Sequence, residues 1–218
     1  MSSRRTSRHA SPRQRPSTLA RVRALLAGAL VLGVGGTATL AAWTDEERAT
    51  ATVTAGTFAL QSRVGPAPTP WANHTTTAAA LPLSAAGLYP GQSRAAWIQI
   101  QNTGSVAGTV NLSGVTFAST PAPGSNHERL RDATRVRISA TAADGAASNA
   151  PSCTTSTPGT EVTGLQNVPA LTAQPLKAAS ANTVTYCVVI TLSADAPNEA
   201  QGGSVTPTWT FTGSTPTS

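Results

Sequence analysis

Residues 95–112 read Ala95-Ala96-Trp97-Ile98-Gln99-Ile100-Gln101-Asn102-Thr103-Gly104-Ser105-Val106-Ala107-Gly108-Thr109-Val110-Asn111-Leu112. Apolar side chains recur with a period of two, first Ala96, Ile98 and Ile100, then Val106, Val110 and Leu112, as in strands that set one face on a core. Asn102-Thr103-Gly104-Ser105 between them has the composition of a tight hairpin turn, where Asn and Gly tolerate left-handed backbone. The alternation returns further on. Residues 135–141 put Val136, Ile138 and Ala140 on one side and Arg135, Arg137 and Ser139 on the other. Residues 183–192 align Val184, Tyr186, Val188, Ile190 and Leu192, which predicts a central strand. Residues 205–212 set Val205, Trp209 and Phe211 opposite Thr206, Thr208, Thr210 and Thr212, and Pro207 predicts an edge position. A further strand or two is expected in residues 49–62, anchored by Val53, Phe58 and Leu60, with Gly56 as a break or bulge. Residues 118–126 and 142–164 read as loops, and no window beyond residue 42 keeps a helical period. Short antiparallel strands, roughly six to eight, with no helices to cover a parallel sheet, predict an all-β antiparallel β-sandwich of immunoglobulin-like or jelly-roll topology.

The chain of 218 residues carries a formal charge of +6, which by itself would suggest nucleic acid. The distribution removes that suggestion. Seven of the fifteen basic residues are Arg4, Arg5, Arg8, Arg13, Arg15, Arg21 and Arg23; the part from Trp43 onward has eight basic and nine acidic residues and is near neutral. No nucleic-acid partner is expected. Residues 24–42 follow the arginines without a single charge. A basic segment, an apolar segment and then small residues describe a signal peptide, with cleavage after Ala41 or Ala42 and a new terminus at or beside Trp43. Residues 1–42 are thus read as a signal-peptide helix and residues 43–218 as a single β-sandwich domain outside the cytoplasm. The competing reading is an uncleaved anchor, the one membrane attachment the sequence offers; glycines at 28, 33, 35 and 36 dilute its apolar stretch.

Cys153 and Cys187 are the only cysteines, an even count that predicts a disulfide in an exported chain. Cys187 alternates out of the Tyr186 and Val188 face, so the bond would strap the 142–164 loop across the outside of its strand. No cofactor and no metal site are expected, since zinc takes four ligands and no Cys/His partners stand at the right spacing. His74 and His127 lie in polar stretches. His127-Glu128-Arg129-Leu130-Arg131 begins like the zinc-protease motif His-Glu-x-x-His, but Arg131 occupies the second histidine's place and no helix is expected there. Gly91-Gln92-Ser93-Arg94-Ala95 only approximates a nucleophile elbow and reads as a turn leading into a strand. Asp45, Glu46 and Glu47, and Asp195 with Glu199, read as solvated turns and not as calcium loops. No catalytic residue is assigned, and the chain is read as a non-enzyme. Of the four tryptophans, Trp209 is assigned to the core and Trp43 to the junction. Trp71 and Trp97 are the candidates for contact with a glycan or partner; Trp97, in phase with Gln99 and Gln101, either packs a second face or meets that partner.

Several stretches together resemble a family. Gly35-Gly36-Thr37-Ala38-Thr39-Leu40-Ala41-Ala42-Trp43-Thr44-Asp45, then Thr54-Ala55-Gly56-Thr57-Phe58-Ala59-Leu60, is similar to the leader junction and first strand of proteins exported with the SipW-type alternate signal peptide. That group includes the TasA/camelysin proteins and the actinobacterial alternate-signal-mediated exported proteins. Leu88-Tyr89-Pro90-Gly91-Gln92, the Asn102-Thr103-Gly104 turn and Asn198-Glu199-Ala200-Gln201-Gly202 resemble turns of the same family. The resemblance implies an exported structural protein of the cell surface, extracellular matrix or biofilm, processed by a SipW-type signal peptidase. It further implies a homo-oligomer or fibre built by lending an N-terminal strand to a neighbour. The alternatives are a secreted binding module for cell-wall glycan or a surface protein and, remotely, a camelysin-like metalloprotease.

Overall fold

A computed structural model describes residues 17–38, 47–65, 68–83, 87–145 and 150–216, with side chains from 31 to 38 left out. The chain divides into two compact units, Met1–Val53 and Thr54–Ser218. The first holds helix α1 (Thr18–Ala38), on which Leu19, Leu25, Leu26 and Leu30 are exposed. Among the described residues no helix is long and apolar enough to cross a membrane. The cleavage residues Ala41, Ala42 and Trp43 lie outside the described residues, as do Asp45 and Glu46.

The second unit is a mostly β, sandwich-like fold of two antiparallel sheets. Its strands are β1 (Leu60–Gly65), β2 (Ser93–Asn102), β3 (Gly108–Phe117), β4 (Thr134–Asp144), β5 (Thr160–Thr163), β6 (Gln174–Leu176), β7 (Asn182–Leu192) and β8 (Pro207–Ser214). Five form one sheet in the order β1-β2-β7-β4-β5, and three form the other in the order β6-β3-β8. Strand β7 is central, as its apolar density predicts, and β8 is an edge with Pro207 at its first position, where no ladder donor is needed. Ile98, Ile100, Val136, Ile138, Val184, Val188 and Ile190 from the larger sheet meet Val110, Leu112 and Leu176 from the smaller. Tyr186 joins the layers: its hydroxyl donates to the Val110 carbonyl at 3.1 Å, and its ring lies 4.7 Å from that of Phe211.

Five expectations are corrected. The 102–105 turn is not a hairpin, because β2 and β3 lie in different sheets and the chain crosses between them there. Val106, expected inside, is 37% exposed on the far side of that crossing. In residues 49–62 strand structure begins only at Leu60, and Val53 is 92% exposed. The 142–164 run contains the end of β4 and all of β5. Finally, a helix does form beyond residue 42: α2 (Asn126–Ala133), opened by Ser125, whose hydroxyl accepts from the Glu128 amide, while the Glu128 carboxylate accepts from Gly124 N–H. Ser125-x-x-Glu128 has the spacing of a capping box, with the carboxylate closing on the amide just before the cap residue, a helix start that no long apolar periodicity accompanies.

Candidate functional site

The segment ahead of β1 and the crossing turn form one clasp. Asn102 is fully buried at its centre. Its Oδ1 accepts from the amides of Gly104 (2.9 Å) and Ala59 (3.2 Å), and its Nδ2 donates to the Val106 carbonyl at 2.7 Å. Thr57 completes the exchange: its amide donates to Ser105 Oγ at 3.0 Å, and its carbonyl accepts from the Val106 amide at 3.0 Å. Gly104 is a glycine because a Cβ there would run into the Thr57 carbonyl, and its φ is not in the left-handed region. Phe58 then wedges over the ends of β3 and β8, where side chains at Gly108 or Gly213 would stand 2.5–2.6 Å from its ring. The Thr-Ala-Gly-Thr-Phe-x-Leu and Asn-Thr-Gly stretches, joined by the Ala59–Asn102 bond across 43 positions of the chain, are thus two halves of one contact.

On the outer face of the larger sheet the disulfide forms as expected. Cys153 and Cys187 have Cα atoms 5.4 Å apart, and no free cysteine remains. Arg137 holds the strapped loop from beneath, donating to the carbonyls of Thr155 (2.6 Å) and Thr157 (3.0 Å). Trp97 pairs with Cys187 across β2 and β7 and with Gly65 across β1 and β2. Its indole lies over Gly65 and is only 3% exposed, so it packs the second face and presents no surface to a sugar. The two-residue alternation could not decide this, because the covering pieces come from distant parts of the chain. Trp71 is half-buried, with the Arg63 guanidinium 4.9 Å from its ring centre. Arg63 in turn donates to Gln99 Oε1 at 2.9 Å. Gln99, Thr141, Thr183 and Thr185 help line a hollow of about 460 Å³ beside the strap.

Between the sheets, on the flank of β1 and β8, lies a cleft of about 1500 Å³. Leu60, Leu83, Leu88, Ile100, Trp209 and Phe211 are among its apolar lining, which includes no charged side chain. Trp209 Nε1 is buried without a hydrogen-bond partner among the described residues. His74 and His127 make separate main-chain contacts. His127, on α2, meets the main chain of Ser204, 2.7 Å from its carbonyl oxygen and 2.8 Å from its amide nitrogen, and so ties the helix to the approach of β8. His74 lies 3.1 Å from the Thr77 carbonyl within its own turn. Arg131, in the second histidine's place, is bonded to Asp132 at 2.8 Å and Glu128 at 3.3 Å. Among the described residues no group of three or more His, Cys, Asp or Glu side chains is placed to hold a metal ion. Ser93 opens β2 after a turn at Gly91, and its hydroxyl meets that of Thr191 at 2.8 Å.

No protein-family model matches the chain, and no curated protein matches it. The described residues comprise a strand-free segment ahead of β1, an edge strand without charged side chains, a half-buried tryptophan and an apolar cleft.

Proposed function

We propose that this is an exported structural protein of the cell surface or extracellular matrix, released by cleavage after Ala41 or Ala42 by a SipW-type signal peptidase. Self-assembly proceeds through strand donation. The observation that carries the reading is the state of residues 47–56: exposed, without strand pairing, and directly ahead of the clasp that secures β1 in its own sheet. A short, exposed Thr- and Ala-rich segment outside any strand is suited to add to a sheet edge in another copy. The Cys153–Cys187 bond supports a location outside the reducing cytoplasm, and the resemblance to the SipW-dependent proteins supports the class. The layering of five strands over three is read as immunoglobulin-like or jelly-roll.

Intact-mass analysis of protein recovered from the medium of the producing cells tests export. The expected mass begins at Ala42 or Trp43 and is two hydrogens below that of the reduced chain; a reduced, cell-retained chain still bearing Met1 overturns the reading. Deleting residues 47–53, which leaves the clasp intact, should abolish assembly into higher oligomers, and unchanged assembly refutes strand donation.

A second reading, a binding module for cell-wall glycan, rests on Trp71 alone. Its half-buried ring is backed by Arg63, a geometry that leaves part of an indole available to stack on a sugar. Binding to insoluble cell wall that is lost in Trp71→Ala would favour it over the structural role.

A further inference from the structure

An edge strand offers a row of unpaired N–H and C=O groups to any strand that reaches it, and folded proteins guard such edges with charge, proline, brevity or a covering segment. Among the described residues the two sheets end in four edge strands, β1 and β5 in the larger and β6 and β8 in the smaller. Three of them are guarded. Ala72 covers β1, exchanging main-chain bonds of 2.9 and 3.1 Å with Ser62. Strand β5 is four residues long and carries Glu161, which is ion-paired to Arg135 and Arg137. Strand β6 has three residues with Pro175 in the middle. Strand β8 has none of these protections along its length: eight residues, no charged side chain, and its proline spent at the first position. Among the described residues only β3 pairs with it.

We propose that β8 is a homotypic docking edge, at which the β8 strands of two copies pair antiparallel about a twofold axis at Thr210. The two three-stranded sheets then become one continuous sheet. The strand itself argues for a second copy as the occupant. Thr208-Trp209-Thr210-Phe211-Thr212 is self-complementary about its centre: Thr208 faces Thr212 of the second copy, and Trp209 faces Phe211 of the second copy. Thr–Thr and aromatic–aromatic neighbours are the favourable cross-strand pairs, and no like charges are opposed. An axis perpendicular to the sheet keeps both inner faces on the same side. Trp209 and Phe211, which line the apolar cleft in each copy, therefore continue one another's wall, and the threonines form a shared hydroxyl face. This inference goes beyond strand donation, which uses residues 47–53 and a different pairing.

Cross-linking of the full chain in a non-ionic detergent tests it. In the symmetric register residue 210 meets its own copy with Cα atoms about 4.5–5.5 Å apart, within the span a disulfide bridges. Thr210→Cys should give a covalent dimer under mild oxidation, whereas Thr109→Cys, on β3 and paired on both sides, should not. Thr210→Lys sets two ammonium groups against each other and should weaken the dimer roughly tenfold or more in sedimentation velocity, with near-ultraviolet dichroism confirming the native fold. A monomer at all concentrations with no Thr210→Cys cross-link overturns the proposal. So does a Thr210→Cys chain that links to a Val53→Cys chain instead of to itself, an outcome that leaves strand donation standing. A dimer that survives deletion of residues 47–53 supports homotypic pairing even where donation fails.

Discussion

Replacing Tyr186 by phenylalanine removes one oxygen and leaves the ring against Phe211. That oxygen makes a polar bond between the two layers, donated at 3.1 Å to the Val110 carbonyl where both residues are 0% exposed. Losing the bond and leaving a buried carbonyl short of a donor costs about 1–2 kcal/mol at neutral pH, or about 2–8 °C in Tm for a domain of this size. Burial also pushes the Tyr186 phenol up from 10.0 to about 12. The unfolded chain therefore releases this proton first as the pH rises. The stabilisation is fully present below about pH 10 and is lost as the pH climbs toward 12; at pH 11 the loss is about 1.4 kcal/mol. The phenylalanine variant lacks that titration, and every other group is common to the two proteins. Urea unfolding of the oxidised chain, followed by tryptophan fluorescence, should find Tyr186→Phe the weaker protein at pH 7 and level with the parent near pH 11. A difference that stays constant or widens between the two pH values would refute the inter-sheet role assigned to the hydroxyl.

Other outcomes follow from the same structure. Replacing both Cys153 and Cys187 by serine opens a loop of 34 positions and should lower stability by about 3–4 kcal/mol, read as the shift of the denaturant midpoint relative to the oxidised parent. Phe58→Ala withdraws the wedge over Gly108 and Gly213. Because the ring is only half-buried, the expected cost is about 2 kcal/mol, below that of a fully enclosed phenylalanine, and Gly213→Ala should mimic it by pushing the ring out. Ser125→Ala should cost about 1 kcal/mol and raise amide exchange first at Glu128, whose N–H loses its acceptor.

The strands were the most legible part of the fold. Residues 96–100, 136–140 and 184–192 each alternate cleanly because one face of each lies on the core, and burial writes a period of two into the chain. The disulfide was legible for a different reason, since two cysteines leave one pairing. Helix α2 was missed because none of its side chains is fully buried; its signal lay in the cap, not in an apolar stripe. Trp97 was ambiguous because alternation reports which face a residue is on and says nothing of what covers that face. Strands β5 and β6, four and three residues long, are too short to show a period at all.

The sequence by itself determined the class of fold, the inward residues of the long strands, the central place of β7, the edge place of β8 and the cysteine pair, all properties that follow from local alternation, proline chemistry or counting. Only the tertiary structure decided that the Asn102 turn carries the chain from one sheet to the other, that Thr57 and Phe58 close on that turn, and that β8, of the four edge strands described, carries no guard. These depend on which distant segments meet. Alternation fixes the face a side chain takes, but the partner across a sheet is chosen by the collective packing of both layers, and no single stretch of chain contains that choice.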